Sequence, residues 1–175
     1  MGLDLLDPAL VGVATKGETI IYEQLLTPNN MYNWESINVA GGLHIKASSS
    51  LIGQEINKVS FALSYVNGLP VASTLYARVF NTGSALTVKH EFGSMATNTL
   101  TTSTAVYSFQ SGSSYTLAQD DVVSIYADQS STSYPNNMIL QAGVNSDETY
   151  LNYADYNSSI WAQGGRRPYI ILAEA

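Results

Sequence analysis

The sequence predicts a single all-β domain, an antiparallel sandwich or barrel, with a short helical arm in front of it. Apolar and polar residues alternate over many short runs, and clusters of Gly, Pro, Asn and Ser separate these runs. No long stretch has helical periodicity, and 175 residues that are 45% hydrophobic suit one domain with a substantial core. We therefore expect an N-terminal arm at 1–18 and a sandwich domain at 19–175.

The arm contains residues that typically start and end a helix. Asp7 is a good N-cap, Pro8 suits the first helical position, and Lys16-Gly17 is a typical C-terminal end. A helix this short is marginal alone, and its residues are largely apolar. We expect the arm to pack either on its own sandwich or on a neighbouring subunit. In the second case the subunit-contact residues are Leu5, Leu6, Leu10 and Val11.

The alternating runs after the arm predict the strands in order. The predicted strands are 19–26, 39–47, 56–66, 74–81, 86–91, 103–110, 121–127, 137–144 and 168–173, with a short extended piece near 150–156. Between 56–66 and 74–81, Asn67-Gly68-Leu69-Pro70 predicts a tight turn and hence a hairpin of these two strands. Ser111-Gly112-Ser113 predicts a break after 103–110.

Charge and composition exclude several function classes. The net charge is −7 with only seven basic residues, so we expect neither nucleic-acid binding nor attraction to anionic membranes. Charged residues make up 12%, about half the share of a typical domain. There is no cysteine, which excludes thiol chemistry and cysteine-based zinc sites. We expect no signal peptide and no membrane insertion, because the start lacks a basic region and no apolar run is long enough to span a bilayer.

The residues that enzymes use are scarce, and we expect no catalytic site and no cofactor. The two histidines, His44 and His90, each lie in a strand-like run without a second histidine at metal-binding spacing. No nucleophile elbow, zincin motif, P-loop or dinucleotide-binding motif occurs, and no pair of carboxylates is singled out for glycoside hydrolysis. Asp147 and Glu148 are weak candidates for a calcium site, and a polar surface loop is the alternative.

Aromatic residues cluster near the C-terminus. The stretch YLNYADYNSSIW, residues 150–161, places four of them in one loop-like segment among Asn, Asp and Ser, namely Tyr150, Tyr153, Tyr156 and Trp161. Flat aromatic faces stack on sugar rings, and aromatics with polar tips also suit subunit interfaces. These four residues are therefore candidates for glycan binding or subunit contact. The alternative is that they close the end of the sandwich.

Three stretches resemble a family of jelly-roll β-sandwiches found in phage and archaeal-virus structural proteins and in carbohydrate-binding surface modules. INKVSFALSYVNGLPVASTLYARVF, residues 56–80, is similar to the family's central pair of strands around a Gly-x-Pro turn. Residues 107–127 are similar to its strand, turn and strand, with Gln119 where the family has glycine. Residues 152–161 are similar to the Tyr/Ser/Trp segment before its last strand, and the resemblance covers roughly 20–173.

The resemblance implies a jelly-roll fold and a non-enzymatic structural or surface protein of a virus particle. Such a protein would be a capsid decoration, spike or tail-fibre subunit on the virion or an extracellular surface. Its expected partners are other copies of itself, most plausibly in a homotrimer, other virion proteins, and host glycans if it is also adhesive. The alternative is a carbohydrate-binding module of a secreted or surface protein.

Overall fold

The computed structural model describes residues 17–24, 31–35, 40–65, 74–83, 86–128, 138–144, 151–157, 160–164 and 166–175. These ranges contain thirteen strands and one 3-10 turn at Thr97–Thr99. The strands are β1 Thr19–Gln24, β2 Met31–Glu35, β3 Ala40–Ile45, β4 Glu55–Tyr65, β5 Thr74–Asn81, β6 His90–Ala96, β7 Ala105–Thr116, β8 Asp121–Asp128, β9 Met138–Val144, β10 Leu151–Asn157, β11 Ile160–Gly164, β12 Arg166–Pro168 and β13 Ile170–Glu174. The arm, with Leu5, Leu6, Leu10 and Val11, lies outside the described residues.

The strands form two antiparallel sheets, which we call sheet A and sheet B. In sheet A, β13 lies between β1 and β4, and β7 lies on the other edge of β4. β9 pairs with the end of β4 and with β2 and β12. Sheet B has the order β11-β10-β3-β8-β5-β6. The two sheets share one core, so the predicted all-β sandwich is confirmed.

Strand pairing is nested in the sequence. β1 pairs with β13, β3 with β8, β4 with β7, and β5 with β6. Of these four pairs, only β5–β6 joins strands that follow one another directly in the chain. The chain otherwise crosses from one sheet to the other between β3 and β4, β4 and β5, β6 and β7, and β7 and β8. Each half of the sandwich is therefore built from segments that are far apart in the sequence.

The predicted hairpin at Asn67–Pro70 is wrong, although both of its strands were predicted correctly. β4 belongs to sheet A and β5 to sheet B, and the two do not pair. The turn residues themselves lie outside the described ranges. Alternation of apolar and polar residues indicates a strand with one buried face, but it is the same whether the next strand pairs or crosses to the facing sheet.

Two other predictions were wrong in detail. β6 begins at His90, whereas the sequence predicted a strand at 86–91. β7 runs through Ser111–Ser113, where a break was predicted. Ile56 pairs with Tyr115 and Lys58 pairs with Gln110, so two residues along β4 correspond to five along β7. The surplus residues, which include the serine-glycine segment, therefore bulge out of a continuous strand. β2 and β11 were not predicted, and of β12 only Pro168 fell within a predicted strand.

The core fills the space between the sheets, and alternate residues of each strand supply it. In β4, Val59, Phe61 and Leu63 are fully buried and share the core. Ile56 is also buried in this core although its position has the opposite parity, and the pairing of β4 with β7 is irregular between Ile56 and Lys58. The facing strands contribute Leu43, Ile45, Leu75, Val79, Phe92, Val123 and Ile125.

Polar contacts fasten the beginning and end of the described chain to β4. Lys58 Nζ lies 2.8 Å from Glu18 Oε2, and the Glu18 side chain is only 5% exposed. Asn57 donates from Nδ2 to the carbonyl oxygen of Ala175 at 3.0 Å and accepts from its backbone nitrogen at 2.9 Å. These contacts reinforce the pairing of β1 and β13 beside β4.

Three strands that have only one partner among the described residues carry irregularities. The register of β1 shifts between Ile20 and Tyr22, and that of the β5–β6 pair shifts between Ala77 and Arg78. β7 carries the serine-glycine bulge. Bulges on edge strands hinder pairing with the edge of another molecule. These edges are therefore poorly suited to assembly by sheet extension.

A substitution at Gly42 tests how closely β3 approaches β8. Its register partner is Ser124, and a Cβ on Gly42 would lie 2.0 Å from the Val123 carbonyl oxygen and 2.5 Å from Ser124 Cα. Main-chain atoms cannot move aside cheaply, so Gly42→Ala should lower the free energy of unfolding by about 1–3 kcal/mol in urea titrations.

Gly112→Ala is the matched control. A Cβ on Gly112 would meet nothing within 4 Å. Its unfolding midpoint should stay close to that of the natural protein. Equal midpoints for the two variants would mean that β3 and β8 are not packed as closely as described.

Candidate functional site on the outer face of sheet B

Register on sheet B brings four side chains together on its outer face. In β5, Leu75, Ala77 and Val79 point into the core, so the intervening positions belong to the outer face. Arg78 lies directly opposite Glu91 of β6, and Tyr76 lies directly opposite Tyr126 of β8. We call this group the tyrosine–arginine patch: Tyr76, Arg78, Glu91 and Tyr126.

The Arg78 guanidinium is the centre of the patch. Arg78 donates from Nε to Glu91 Oε2 at 2.8 Å, and its Nη2 lies 2.7 Å from the same oxygen. Its Cζ lies 3.8 Å from the ring centroid of Tyr76 and 5.2 Å from that of Tyr126. The two rings are 6.0 Å apart, centroid to centroid. Ion pairing and stacking on two π-faces thus hold the guanidinium in one place.

The patch is supported from the side by Phe80, which lies on the same face of β5, and its charged pair is partly exposed. Phe80, which is 1% exposed, packs against the Tyr126 ring with centroids 5.9 Å apart. The Glu91 side chain is 40% exposed and that of Arg78 is 19% exposed, while both tyrosines are half-buried. This arrangement can stack and form hydrogen bonds with a ligand. It contains no nucleophile with an adjacent base.

A second polar cluster joins β6, β7 and β8 at one end of the sandwich. The Asp121 carboxylate is fully buried and accepts hydrogen bonds from Lys89 Nζ, from Tyr115 Oη at 2.9 Å and from the Ala118 backbone nitrogen at 2.8 Å. Burial lowers the pKa of Lys89, but the hydrogen bonds to Asp121 and Tyr115 and the charge of Asp121 outweigh burial and raise it above its usual value.

The Tyr115 hydroxyl keeps its proton, as the Lys89 ammonium group does. Burial raises the pKa of Tyr115, although the hydrogen bond to Lys89 lowers it, and the neighbouring Asp121 raises it further. A lysine that keeps its proton and a phenol that keeps its proton are both poor nucleophiles. The cluster therefore serves as a tie between strands rather than as a reactive centre.

The two histidines are strand residues, as the sequence predicted, and each contacts a polar side chain. His44 in β3 is 4% exposed, its Nε2 lies 3.3 Å from Asp120 Oδ1, and its Nδ1 has no hydrogen-bond partner. His90 Nε2 lies 3.1 Å from Ser111 Oγ. No carboxylate contacts His90 within the described ranges, so this serine–histidine pair lacks the third member of a hydrolase triad.

The described part of the chain contains neither a group of metal ligands nor a membrane-spanning helix. No three His, Cys, Asp or Glu side chains there are grouped as ligands for a metal ion. Asp147 and Glu148, the calcium candidates, fall outside it. None of the helical residues described forms a helix long and apolar enough to cross a membrane.

The predicted aromatic residues occur in strands rather than in a loop. Tyr153 and Tyr156 belong to β10 and Trp161 to β11, while Tyr150 lies outside the described residues. Position 156 is directly opposite 161 in the β10–β11 ladder, whereas 153 is opposite 164. β10 also pairs with β3, so this hairpin extends the sheet that carries the tyrosine–arginine patch.

Sequence reasoning missed the tyrosine–arginine patch. The available signal was that the positions of β5 alternating with its core residues carry Tyr76, Arg78 and Phe80, which are large side chains rather than small polar ones. That signal identifies one row of side chains. Glu91 and Tyr126 join it only because β6 and β8 flank β5 in the observed register.

Replacing the buried carboxylate should weaken the tie between β6, β7 and β8. Asp121→Asn removes the partner of Lys89 and places an amide where three donors converge, so the free energy of unfolding should fall by about 1–3 kcal/mol in urea titrations. Asp120→Asn is the control, because Asp120 is 46% exposed and asparagine tolerates its φ of 64°. An equal loss in both variants would contradict the structural role of Asp121.

His90 should titrate below the ordinary pKa of a histidine. Burial lowers the pKa of His90 from its ordinary value of 6.5, because the charged imidazolium is poorly solvated there. The folded state therefore favours neutral His90. The stability from this group is fully present above about pH 6.5 and is lost as the pH falls through the lower folded-state pKa. NMR titration, with the His90 signal assigned from a His90→Phe variant, should give a midpoint below 6.5; a midpoint at or above it would contradict this burial effect.

Comparison of this chain with models of protein families, with curated proteins and with solved structures finds no match. The observations that bear on function are therefore the strand order, the tyrosine–arginine patch and the composition of the chain.

Proposed function

We propose that this chain is a non-enzymatic structural or surface protein of a virus particle, such as a capsid decoration, spike or tail-fibre subunit, built on a jelly-roll sandwich. The observation that carries the proposal is the nested strand pairing. A jelly roll contains eight strands in two sheets, arranged as two Greek keys. The four nested pairs β1–β13, β3–β8, β4–β7 and β5–β6 supply eight strands, four in each sheet.

The remaining strands fit this scheme as insertions. β2 lies between the first and second strands of the nested set, and β9 to β12 lie between the last two, β8 and β13. β10 and β11 extend sheet B, while β2, β9 and β12 extend sheet A. Jelly rolls occur in viral capsid and lectin domains, which favours a protein that works by presenting a surface. Because one fold hosts many functions, this step is an argument from fold.

The polar clusters support a protein without catalysis. Lys89 and Asp121 neutralise each other, Tyr115 donates a hydrogen bond to Asp121, and Ser111 and His90 have no described carboxylate beside them. The low charge and the many Ser, Thr and Asn residues suit an exposed surface.

Assembly is proposed to use the apolar arm, with Leu5, Leu6, Leu10 and Val11 contacting a neighbouring subunit in a closed homo-oligomer, most plausibly a trimer. The irregular edges β1, β6 and β7 disfavour assembly by strand addition. The arm, the faces of the sheets and the edges of β2, β11 and β12, whose single ladders keep a regular register, remain as contact surfaces between copies and with other virion proteins.

A second candidate function is that of a carbohydrate-binding module of a secreted or surface protein. The tyrosine–arginine patch favours it, because it combines aromatic rings with an exposed donor and acceptor pair. The β10–β11 hairpin, which carries Tyr153, Tyr156 and Trp161, extends the same sheet. Glycan adhesion is compatible with a virion protein, so both functions could belong to one chain.

The solution mass tests the assembly proposal. Light scattering on a sizing column should give a stable oligomer for the full chain and a monomer after removal of residues 1–17. This truncation keeps Glu18 and its ion pair with Lys58. A full-length variant with Leu6→Asp and Leu10→Asp should also be monomeric, because charge at these positions would oppose burial of the arm.

Asp4→Asn is the control for the full-length variant, since it changes one charge of the arm without changing its apolar residues. An oligomer that survives both the truncation and the double substitution would remove the arm from the contact. A full chain that is monomeric at high concentration would contradict the homo-oligomer and leave the binding module as the better proposal.

A further inference from the structure

We propose that the tyrosine–arginine patch binds a neutral saccharide; this inference rests on the glycan-binding function proposed above and assigns it a site. The site is the outer face of β5, β6 and β8, centred on Arg78. It does not include residues 150–161, which the sequence suggested for the same chemistry, although Tyr156 of β10 and Tyr126 of β8 are both in register with Ala40 of β3.

Unused hydrogen-bonding groups surround the Arg78 stack. Both contacts from Arg78 fall on Glu91 Oε2, so Oε1 accepts no hydrogen bond from any described residue. The Tyr76 hydroxyl and Arg78 Nη1 likewise have no hydrogen-bond partner in the described ranges. Ser94, directly opposite Tyr76 on β6, is exposed beside them. An acceptor, a phenol and a guanidinium donor therefore face solvent together.

A sugar matches this combination of groups. Each hydroxyl of a pyranose is both donor and acceptor, so neighbouring hydroxyls can donate to Glu91 Oε1 and accept from Arg78 Nη1 at the same time. Hydrogen bonds to charged partners are stronger than those between neutral groups. The Arg78–Glu91 pair is held by Tyr76 and Tyr126 before any ligand arrives, which limits the entropy lost on binding.

Charge favours a neutral sugar over an acidic one. Glu91 already neutralises Arg78, with Nη2 and Oε2 2.7 Å apart, and the whole chain has a net charge of −7. A carboxylated or phosphorylated ligand would need an uncommitted cation, and Lys89, two residues before Glu91 in the sequence, is bound to Asp121.

A protein partner fits the patch less well than a sugar. The buried centres of protein interfaces are depleted of glutamate, because covering a charged carboxylate removes its water. Glu91 is 40% exposed beside Arg78, the centre of the patch, and would need wet, hydroxyl-rich contacts to replace that water. These are the contacts that a saccharide provides.

Binding of defined oligosaccharides to the full chain tests this site. The probes are mannotriose and N-acetyllactosamine, which are neutral, and sialylated N-acetyllactosamine as the acidic counterpart, measured by titration calorimetry or NMR. The natural protein should bind a neutral probe more tightly than the acidic one. Tyr76→Phe keeps the ring stack and removes one hydroxyl, so its affinity should fall about fivefold to tenfold.

A second variant separates the roles of shape and charge. Glu91→Gln keeps the side-chain shape but leaves Arg78 without its counter-charge, so neutral-probe affinity should fall about tenfold and acidic-probe affinity should rise. Glu55→Gln is the matched control, because Glu55 is an exposed carboxylate on sheet A and its loss changes the net charge equally. Its affinities should equal those of the natural protein.

The outcomes distinguish the site from the function. Neutral-probe binding that is unchanged in both Tyr76→Phe and Glu91→Gln would overturn this site and leave glycan binding in place elsewhere on the chain. Tighter binding of the acidic probe by the natural protein would overturn the neutral class. Failure to bind either neutral probe would overturn the site, and the glycan-binding function on which it rests would lose its support, while the assembly proposal would still be decided by the solution mass.

Discussion

The pairing of β4 on both of its edges is the constraint on which the rest of the sandwich depends. β4 pairs with β7 along one edge, and with β13 and then β9 along the other. Its inward residues Val59, Phe61 and Leu63 have no solvent exposure above 1%. Asn57 and Lys58, at its beginning, fasten Ala175 and Glu18. Because β4 is hydrogen-bonded along both edges and buried on its inner face, it fixes the positions of the neighbouring strands. Sheet B then packs on the apolar face that these strands form together.

Charged groups divide into those that hold strands together and those that remain available. Asp121 is buried with three donors around it, and Glu18 is almost fully buried against Lys58. Both pairs hold strands together, since removing either lysine would leave a buried carboxylate without its counter-charge. The Arg78–Glu91 pair differs because it lies on an outer face and keeps free donor and acceptor atoms. The exposure of the Arg78–Glu91 pair is therefore what sets the proposed recognition surface apart from the ion pairs that join strands.

The irregular strand edges discourage main-chain pairing with another molecule, whereas the sheet faces offer side chains for contact. Bulges interrupt β1, β6 and β7, so main-chain hydrogen bonding to another molecule is discouraged there. Side chains on the faces remain the means of contact, and the outer face of sheet B carries the aromatic and guanidinium groups that dominate many binding surfaces. The irregular edges β1, β6 and β7 and the decorated outer face of sheet B fit the surface-presenting function proposed above, whether toward other copies or toward glycans.

The sequence by itself determined the class of fold and the extent of many strands. β5 was predicted with its observed bounds, β8 and β9 differ from their predictions by one residue at one end, and both histidines were correctly assigned to strands. Alternation over a few residues is a local property, so these results needed no knowledge of partners. Tertiary structure decided that β4 and β5 lie in different sheets, that Ser111–Ser113 bulges within β7, and that Arg78 meets Glu91 and Tyr126. Each of these depends on which distant strand lies alongside, and that choice is made by the packing of the whole core rather than by any local pattern.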